Sequence, residues 1–406
     1  MAALSATGFA AALKQHYTSE RIENMVYKDN PFLAMVAKYE DFGGENLKLP
    51  IKFGNPMGRS ADFGTAQSNV TGGNIKAFLL TRVKDYAIAQ IENEVLEASK
   101  GNANAFMEAA VFAIDGSIQA ATRSLAVALY GDGSGEIGVV SASVGGTTNQ
   151  ITLATTQDIT NFELDMKLVA STAVSGGTVS GAAIAVTGIN RDTGVLTMAS
   201  DPSTLFTTSI KYIFVEGDYA TSSTDLQKVS GLDAWLPSTA PGTTAFFSVD
   251  RSVDVDRLGG IRFDGSSLPI EEALIGAAAR AARAGGKPDY CFMNYNNFAD
   301  LEKALGSKVS YVEKNIKPEI GFRGILIHGP RGPINVIPDQ NCPNGVAYMI
   351  QLDVWKLYSL GKAPRILSGD GLKQLRVYNS DAVEVRVGYY AQLGCRAPGW
   401  NVRIGL

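Results

Sequence analysis

Histidine and cysteine are scarce in this 406-residue chain, which has two of the former and three of the latter. Cys291, Cys342 and Cys395 are odd in number and far apart. That excludes a disulfide framework, and equally a thiolate metal site, which needs close pairs of cysteines. A reducing cytosol is the compartment such usage suits. Charge is also sparse: 19% of residues are charged, against ~25% in an ordinary soluble domain. The net charge is −4, so there is no basic excess to draw nucleic acid by counterion release. No apolar run approaches the ~18 residues of a membrane span. The opening MAALSATGFAAALKQHY lacks the basic segment of a secretory signal. What the chain does have is 45% apolar residues and 43 glycines. That composition excludes disorder. At ~150 residues per domain it predicts two or three domains, with little charge on surfaces that meet other subunits.

The first 45 residues read as short helices and connectors. Thr7 is placed to cap one, and Asn30-Pro31 opens another through FLAMVAKY, which Gly43-Gly44 ends. So thin an apolar stripe has to lie on something else. From 46 to about 90 the pattern alternates, in LKLPIKF and again from Ile75 through AFLLTRVKDYAIA. The roughly twenty residues between them, GNPMGRSADFGTAQSNVTGG, show no periodicity and exceed an ordinary connection. They predict a long hairpin whose tip packs on a neighbouring molecule.

A long helix follows. Phe106, Ala110, Ile114, Ile118, Ala121, Leu125 and Leu129 form one stripe, with Asn104 as N-cap and Gly131 at the C-terminal end. At 1.5 Å per residue it is a rod of roughly 39 Å. Gly116 in its interior costs up to ~1 kcal/mol relative to Ala and is expected to be held by packing. Residues 136–225 then change character, with 26 Ser/Thr and nine acids against three bases (Lys167, Arg191 and Lys211). Their short apolar runs between turns predict a small all-β barrel or sandwich. Its abrupt limits at GDGSG and ATSSTD mark a domain inserted into a host fold. Val186, Ile189, Leu196, Phe206, Tyr212 and Phe214 are the candidates for its core. Beyond it an Ala-rich helix (LPIEEALIGAAARAARAGG), a strand (PDYCFMN) and an Asn294-capped helix (YNNFADLEKAL) signal an α/β layer. Strands at GILIHG, INVIP and VAYMIQL, a short helix at DVWKLYSLG and a half-buried terminal strand complete the reading. In that last strand Val383, Val385 and Val387 face one side, with Glu384 and Arg386 on the other.

Catalytic chemistry is not apparent. Of the two histidines, His16 lies in the N-terminal stretch and His328 is expected in an end-of-strand loop, flanked by Arg323 and Arg331. No G-x-S-x-G elbow and no phosphate-binding G-x-x-x-x-G-K-[ST] occurs; GGKPD and LGKAP lack the spacing. GDGSG follows a helix rather than a strand and reads as a domain junction. Asp254, Asp256 and Asp264 tempt a calcium reading, but Gly265 occupies the position where an EF-hand needs Glu. Arg280 and Arg283, three apart on a helix, suit an inter-subunit salt bridge or a solvated face. No catalytic, cofactor or metal residue is therefore assigned, and the chain is expected not to be an enzyme.

The order of segments is more telling than any motif. DNPFLAMV, LKLPIKFGNP with NIKAFLLTRVKDYAIA, AFMEAAVFAIDGSIQAATRSLAVALYGDGSG, KPDYCFMNYNNFADLEKAL and AVEVRVGYYAQLGCRAPGWNVRIGL succeed one another. In that order they resemble the arm, extended loop, spine helix, axial domain and returning peripheral strand of tailed-bacteriophage major capsid proteins of the Hong Kong 97-type fold. The resemblance implies an α+β fold with an N-terminal arm at 1–45, an E-loop hairpin at 46–84 and a peripheral domain with the spine helix at 85–135. The inserted all-β domain would occupy 136–225, an axial domain 226–365, and the return to the peripheral domain 366–406. It implies a coat protein that self-assembles into hexamers and pentamers of an icosahedral shell around double-stranded DNA. That DNA would be enclosed without sequence-specific binding. Portal, scaffold and decoration proteins would be partners, with assembly in the host cytoplasm and residence in the virion capsid. No cofactor and no membrane are implied. Two alternatives stand beside it: an encapsulin-like nanocompartment shell, and a carbohydrate-binding or hydrolytic protein using the β domain. The second would need clustered aromatics or paired carboxylates on one face, and the domain's aromatics, Phe162, Phe206, Tyr212, Phe214 and Tyr219, are expected in its core.

Overall fold

A computed structural model describes residues 30–98, 103–141, 149–207, 209–222, 225–305, 324–367 and 375–406. The Thr7 cap, His16 and Arg323 lie outside them, as do the side chains of Asn104, Phe106 and Ala110.

Asn30-Pro31 does open a helix, α1 (Pro31–Met35), but it stops after five residues. The expected continuation through VAKY is instead β1 (Ala37–Tyr39), an exposed strand. A pairing invisible in the local sequence decides this, since β1 runs parallel to residues 356–358. Phe32, Leu33, Met35, Val36 and Phe42 are buried in the main core of their own subunit. The arm is pinned there by Asp339, whose carboxylate accepts the Phe32 amide at 3.2 Å and the Tyr130 hydroxyl at 2.8 Å.

β2 (Asn46–Gly54) and β3 (Asn74–Thr81) form the hairpin as an antiparallel pair. The tip is not structureless: α2 (Phe63–Ser68) sits in it, with Asp62 as N-cap. β4 (Val83–Glu92) and α3 (Asn93–Ala98) lead to the spine helix α4 (Ala103–Ala128). The C-terminal half of the predicted stripe is buried at Ala121, Leu125 and Leu129.

Residues 136–225 contribute β5 (Glu136–Val139), β6 (Gln150–Thr152), β7 (Lys167–Ser171), β8 (Val179–Asn190), β9 (Val195–Met198) and β10 (Tyr212–Val215). They are ordered β5-β10-β7-β8-β9-β6. A bridge between Val140 and Leu153 joins the two edges, closing a barrel. Its core is separate from the main one and holds Val186, Leu196 and Phe206, with Ile189 half-buried against it. Phe214 is buried, whereas Tyr212 is only half-buried.

The remaining chain forms α5 (Leu232–Trp235), α6 (Val255–Gly259), β11 (Ile261–Asp264), α7 (Ile270–Arg283), β12 (Tyr290–Met293) and α8 (Tyr295–Leu305). These are followed by β13 (Ile325–Gly329), β14 (Gly332–Pro338), β15 (Val346–Ile350), β16 (Trp355–Ser359), β17 (Arg365–Ile366), β18 (Leu375–Arg376), β19 (Ala382–Cys395) and β20 (Val402–Gly405). A mixed sheet, β11-β20-β15-β12-β14-β13, packs against α7 and α8 around Ala277, Met293 and Ile404. α7 ends as expected, with Gly285 at φ +95°, and Asn294 Oδ1 caps α8 by accepting the Asn296 amide at 3.1 Å.

The helix expected at DVWKLYSLG is a single 3-10 turn followed by β16. Trp355, Leu357 and Tyr358 are buried because β16 lies between β1 and β19. β19 organises this third six-stranded sheet. It pairs with β4 over ten residues and with β18, β17 and β16 in succession. It is buried more completely than a half-exposed strand: even Glu384 is covered, paired with Arg386. The main core joins this sheet to the hairpin and the end of the spine. Trp235 packs edge-on against Phe78 at 4.9 Å and donates its indole N–H to the Leu393 carbonyl at 3.1 Å.

Candidate assembly surfaces and the cleft beneath the barrel

The hairpin presents two chemically different faces because β2 alternates. Leu49, Ile51 and Phe53 point into the main core, while Lys48 and Lys52 point outward. The body grips the base of the hairpin at several points. Arg257 donates to the Phe53 carbonyl at 2.5 Å, Lys76 to that of Asp250 at 3.3 Å, and the Leu79 amide to Phe247 at 2.9 Å. The tip beyond it closes only on itself. Asp62 accepts the Thr65 amide at 2.7 Å, and Met57 and Thr71 exchange hydrogen bonds. No residue of α2 is buried. Phe63 is 82% exposed, and Val70, Met57 and Ile75 are 70%, 65% and 65% exposed. Three large apolar side chains displayed on the tip, with Ile75 beside them at the start of β3, are costly in water unless something covers them.

On the other side of the spine, the barrel overhangs helix α4 and encloses a cleft of about 1520 Å³. Two chain crossings at its base attach the barrel, one at residues 131–136 and the other at 215–222 and 225–228. The GDGSG segment is a junction turn, in which Asp132 accepts both the amide and the hydroxyl of Ser134. Lys228 locks the second crossing. Its ammonium lies 2.8 Å from Asp85 on β4 and 2.9 Å from Asp218 at the end of the barrel. Burial pushes that ammonium down, but the two carboxylates outweigh it and hold the group above its ordinary value. Arg123 of the spine pairs with Glu163 of the barrel. Deeper in, Tyr348 and Arg403 both donate to Asp233, at 3.2 and 3.1 Å.

The cleft also holds a carboxyl group that pairs with none of these bases. Burial pushes Glu136 up to about 8, helped by the nearby carboxylates of Asp132, Asp158 and Asp233, and burial alone lifts Asp158 to about 6. The folded protein therefore keeps a proton on Glu136 that the unfolded chain releases near 4.5. Stability attributable to this group is present below that pH, declines as the pH rises to about 8, and is then flat. Glu136→Gln should raise the melting temperature by a few degrees at about pH 9. The gain should shrink to nothing towards pH 4–5. Thermal scans across that range check it, and a gain independent of pH would show that proton uptake is not involved.

The sequence candidates are dispersed. Asp254 caps α6, Asp256 pairs with Arg262 and Arg280, and Asp264 closes a turn with Ser266. Arg280 thus has a partner within its own subunit. His328 is in β13 rather than a loop, exposed and paired in register with Pro333. Arg331 donates to the carbonyls of Gly285 and Gly286. The three cysteines are buried thiols. In the barrel Phe162, Phe206 and Phe214 are fully buried and Tyr212 and Tyr219 half-buried, so they do not make an exposed aromatic platform. Among the described residues, no cluster of metal-ligating side chains occurs.

A family model described as SU10 major capsid protein matches residues 178–374, from the barrel through the mixed sheet. Over that span, a little under half of the chain, the sequence is similar to a major capsid protein family. The chain's fold matches that of a chain in the Cyanophage A-1(L) capsid asymmetric unit, with 13% identity, 97% of each chain covered and a TM-score of 0.53. The Hong Kong 97-type α+β architecture expected from the order of segments is the one observed. A native GTA particle capsid chain (10% identity, 99% and 98% covered, TM-score 0.47) is similar at a level too low to argue from. The same holds for the holo-SrpI encapsulin complex of Synechococcus elongatus PCC 7942 (6%, 98% and 94%, 0.44). No curated protein matches the sequence. The hairpin itself is expected from sequence, whereas the apolar side chains displayed on its tip and the cleft beneath the barrel are not. The exposed apolar tip was hidden by its lack of periodicity, and the Lys228 lock joins residues 143 positions apart in sequence from Asp85 to Lys228.

Proposed function

We propose that this chain is a major capsid protein that assembles into hexamers and pentamers of an icosahedral shell, enclosing double-stranded DNA without reading its sequence and without catalysing a reaction. The observation that carries this is the hairpin, whose base is bound into the subunit while its tip offers Met57, Phe63 and Val70 to solvent. A tip with no core of its own gains apolar burial only when another subunit covers it. The low charge content suits surfaces that meet copies of themselves. Division of labour follows the segments: arm (1–45), E-loop (46–84), peripheral domain (85–135 and 366–406), inserted barrel (136–225) and axial domain (226–365). The barrel has its own core and an excess of six acids over bases. Like-charge repulsion then disfavours the DNA side, so the barrel belongs on the outer face, where decoration proteins would meet it. Portal and scaffold proteins complete the set of partners during assembly in the host cytoplasm.

Purified protein viewed by negative-stain electron microscopy should show closed shells or ring-shaped capsomers. A chain that light scattering reports as a 43 kDa monomer at every concentration and salt would overturn the proposal.

A further inference from the structure

We infer that the barrel is a hinged unit, lying against the spine while Glu136 is neutral and swinging away from it when that carboxyl ionises. The device belongs to the fold of one subunit and does not depend on the shell-forming reading above.

The first ground is mechanical. The barrel packs around a core of its own, so it can move as a body. Its two crossings are bonded to each other in one narrow neck. The Ala220 amide donates to the Ser134 carbonyl at 3.1 Å, and the Lys228 amide to that of Gly133 at 3.1 Å. Gly133 at φ +92° and Gly217 at φ +91° place a backbone conformation that glycine adopts freely in each crossing. Beyond the neck, an open cleft rather than packed side chains separates barrel from spine. On the spine wall a Cβ at Gly116 would meet nothing within 4 Å, so, contrary to the expectation from sequence, packing does not hold that glycine. On the barrel wall Leu164 is left 58% exposed. Across the gap Arg123 pairs with Glu163, a half-exposed contact that water can replace at little cost.

The second ground is electrostatic. Eight carboxyl groups and four bases line the cleft. Each base is already committed: Arg123 to Glu163, Lys167 to Glu216, Lys228 to Asp85 and Asp218, and Arg403 to Asp233. Glu136 stands where the first crossing enters the barrel. Around it are Asp132 of the neck, Asp158 of the barrel and Asp233 of α5. The Ser134 hydroxyl donates to Asp132, and Tyr348 and Arg403 hold Asp233. Ionising Glu136 therefore adds a negative charge to three others in a place with little water. The closed cleft keeps its proton up to about 8, whereas water entering an open one returns the carboxyl towards its ordinary 4.5. Opening thus releases a proton. The ratio of open to closed subunits rises about tenfold per pH unit between those limits and levels off above them. Asp158, lifted to about 6 by burial, adds to the rise below that pH.

The test uses the full chain as unassembled subunits, with nitroxide labels on Ser117→Cys of the spine and Leu164→Cys of the barrel. The three native thiols are buried. Double electron–electron resonance, on labelled chain diluted into unlabelled chain, reads the separation of the two walls. A short distance should dominate at about pH 6. The ratio of a longer population to it should grow on the order of fiftyfold by about pH 8. Glu136→Gln should abolish that growth. Asp158→Asn, which removes one repelling charge, should keep it but end it at a lower pH. One unchanging distance at every pH, in a chain that circular dichroism shows to be folded, overturns the inference. So does a Glu136→Gln chain that opens with pH as its parent does.

Discussion

Replacing Lys228 by methionine should destabilise the subunit by about 3–5 kcal/mol, the range found when one partner of a buried ion pair is removed. The Lys228 side chain is 10% exposed, and those of Asp85 and Asp218 are 15% and 26% exposed. Without the ammonium, two carboxylates face each other with little water between them. Asp85 retains hydrogen bonds from the Ser124 hydroxyl at 2.6 Å and the Tyr389 hydroxyl at 3.2 Å, whereas Asp218 loses its counter-charge. The loss should be local in its first effect, because Lys228 ties the barrel's exit to β4 and the spine. Hydrogen exchange within 149–222 relative to the body should therefore accelerate before the global midpoint falls. Removing all three charges in Lys228→Met with Asp85→Asn and Asp218→Asn should restore much of the stability, since no uncompensated charge then remains. A single variant that melts like its parent in denaturant titrations would show that water already screens the cluster.

Gly135→Ala should act at the other crossing and with comparable force. Gly135 lies at φ +89°, where an L side chain costs about 1–2 kcal/mol from conformation alone. Its Cβ would also stand 2.1 Å from the Asp218 carbonyl oxygen, an overlap of backbone with backbone. The two strands entering and leaving the barrel must then move apart. That breaks the bond from the Ala220 amide to the Ser134 carbonyl at 3.1 Å. Gly217→Ala is the control, because Gly217 has φ +91° but nothing within 4 Å of the added carbon. The control should show the conformational cost only, and Gly135→Ala that cost plus the clash. Equal midpoints for the two variants would mean that the crossing strands separate freely.

Where the sequence was legible, the signal was local. The spine helix carries its stripe at helical spacing, buried over its C-terminal half at Ala121, Leu125 and Leu129, and α7 has its Gly285 stop and α8 its Asn294 cap. Each of these rules acts within one or two turns of chain. The inserted unit was readable as an all-β barrel or sandwich because short apolar runs and turns recur within ninety residues, and the bridge between its edges decided for the barrel. Where the reading failed, a distant partner had overridden a local preference. VAKY and WKLYS both permit helix. They are strands because residues 37–39 and 356–358 align in parallel beside β19, a pairing that spans more than three hundred positions. The tip helix escaped notice because six residues capped by Asp62 show too little periodicity to register.

The acid excess of residues 136–225 was present in composition alone, for charge and residue type do not depend on folding. Only the tertiary structure decided that Leu49, Ile51 and Phe53 anchor the hairpin while Met57, Phe63 and Val70 are left uncovered. Alternation says that a strand has two faces, but which face meets the core depends on elements brought in from Trp235, Phe246 and Leu393. The same holds for Lys228: its identity as a base is written in the chain, but its value as a lock exists only where Asp85 and Asp218 meet around it.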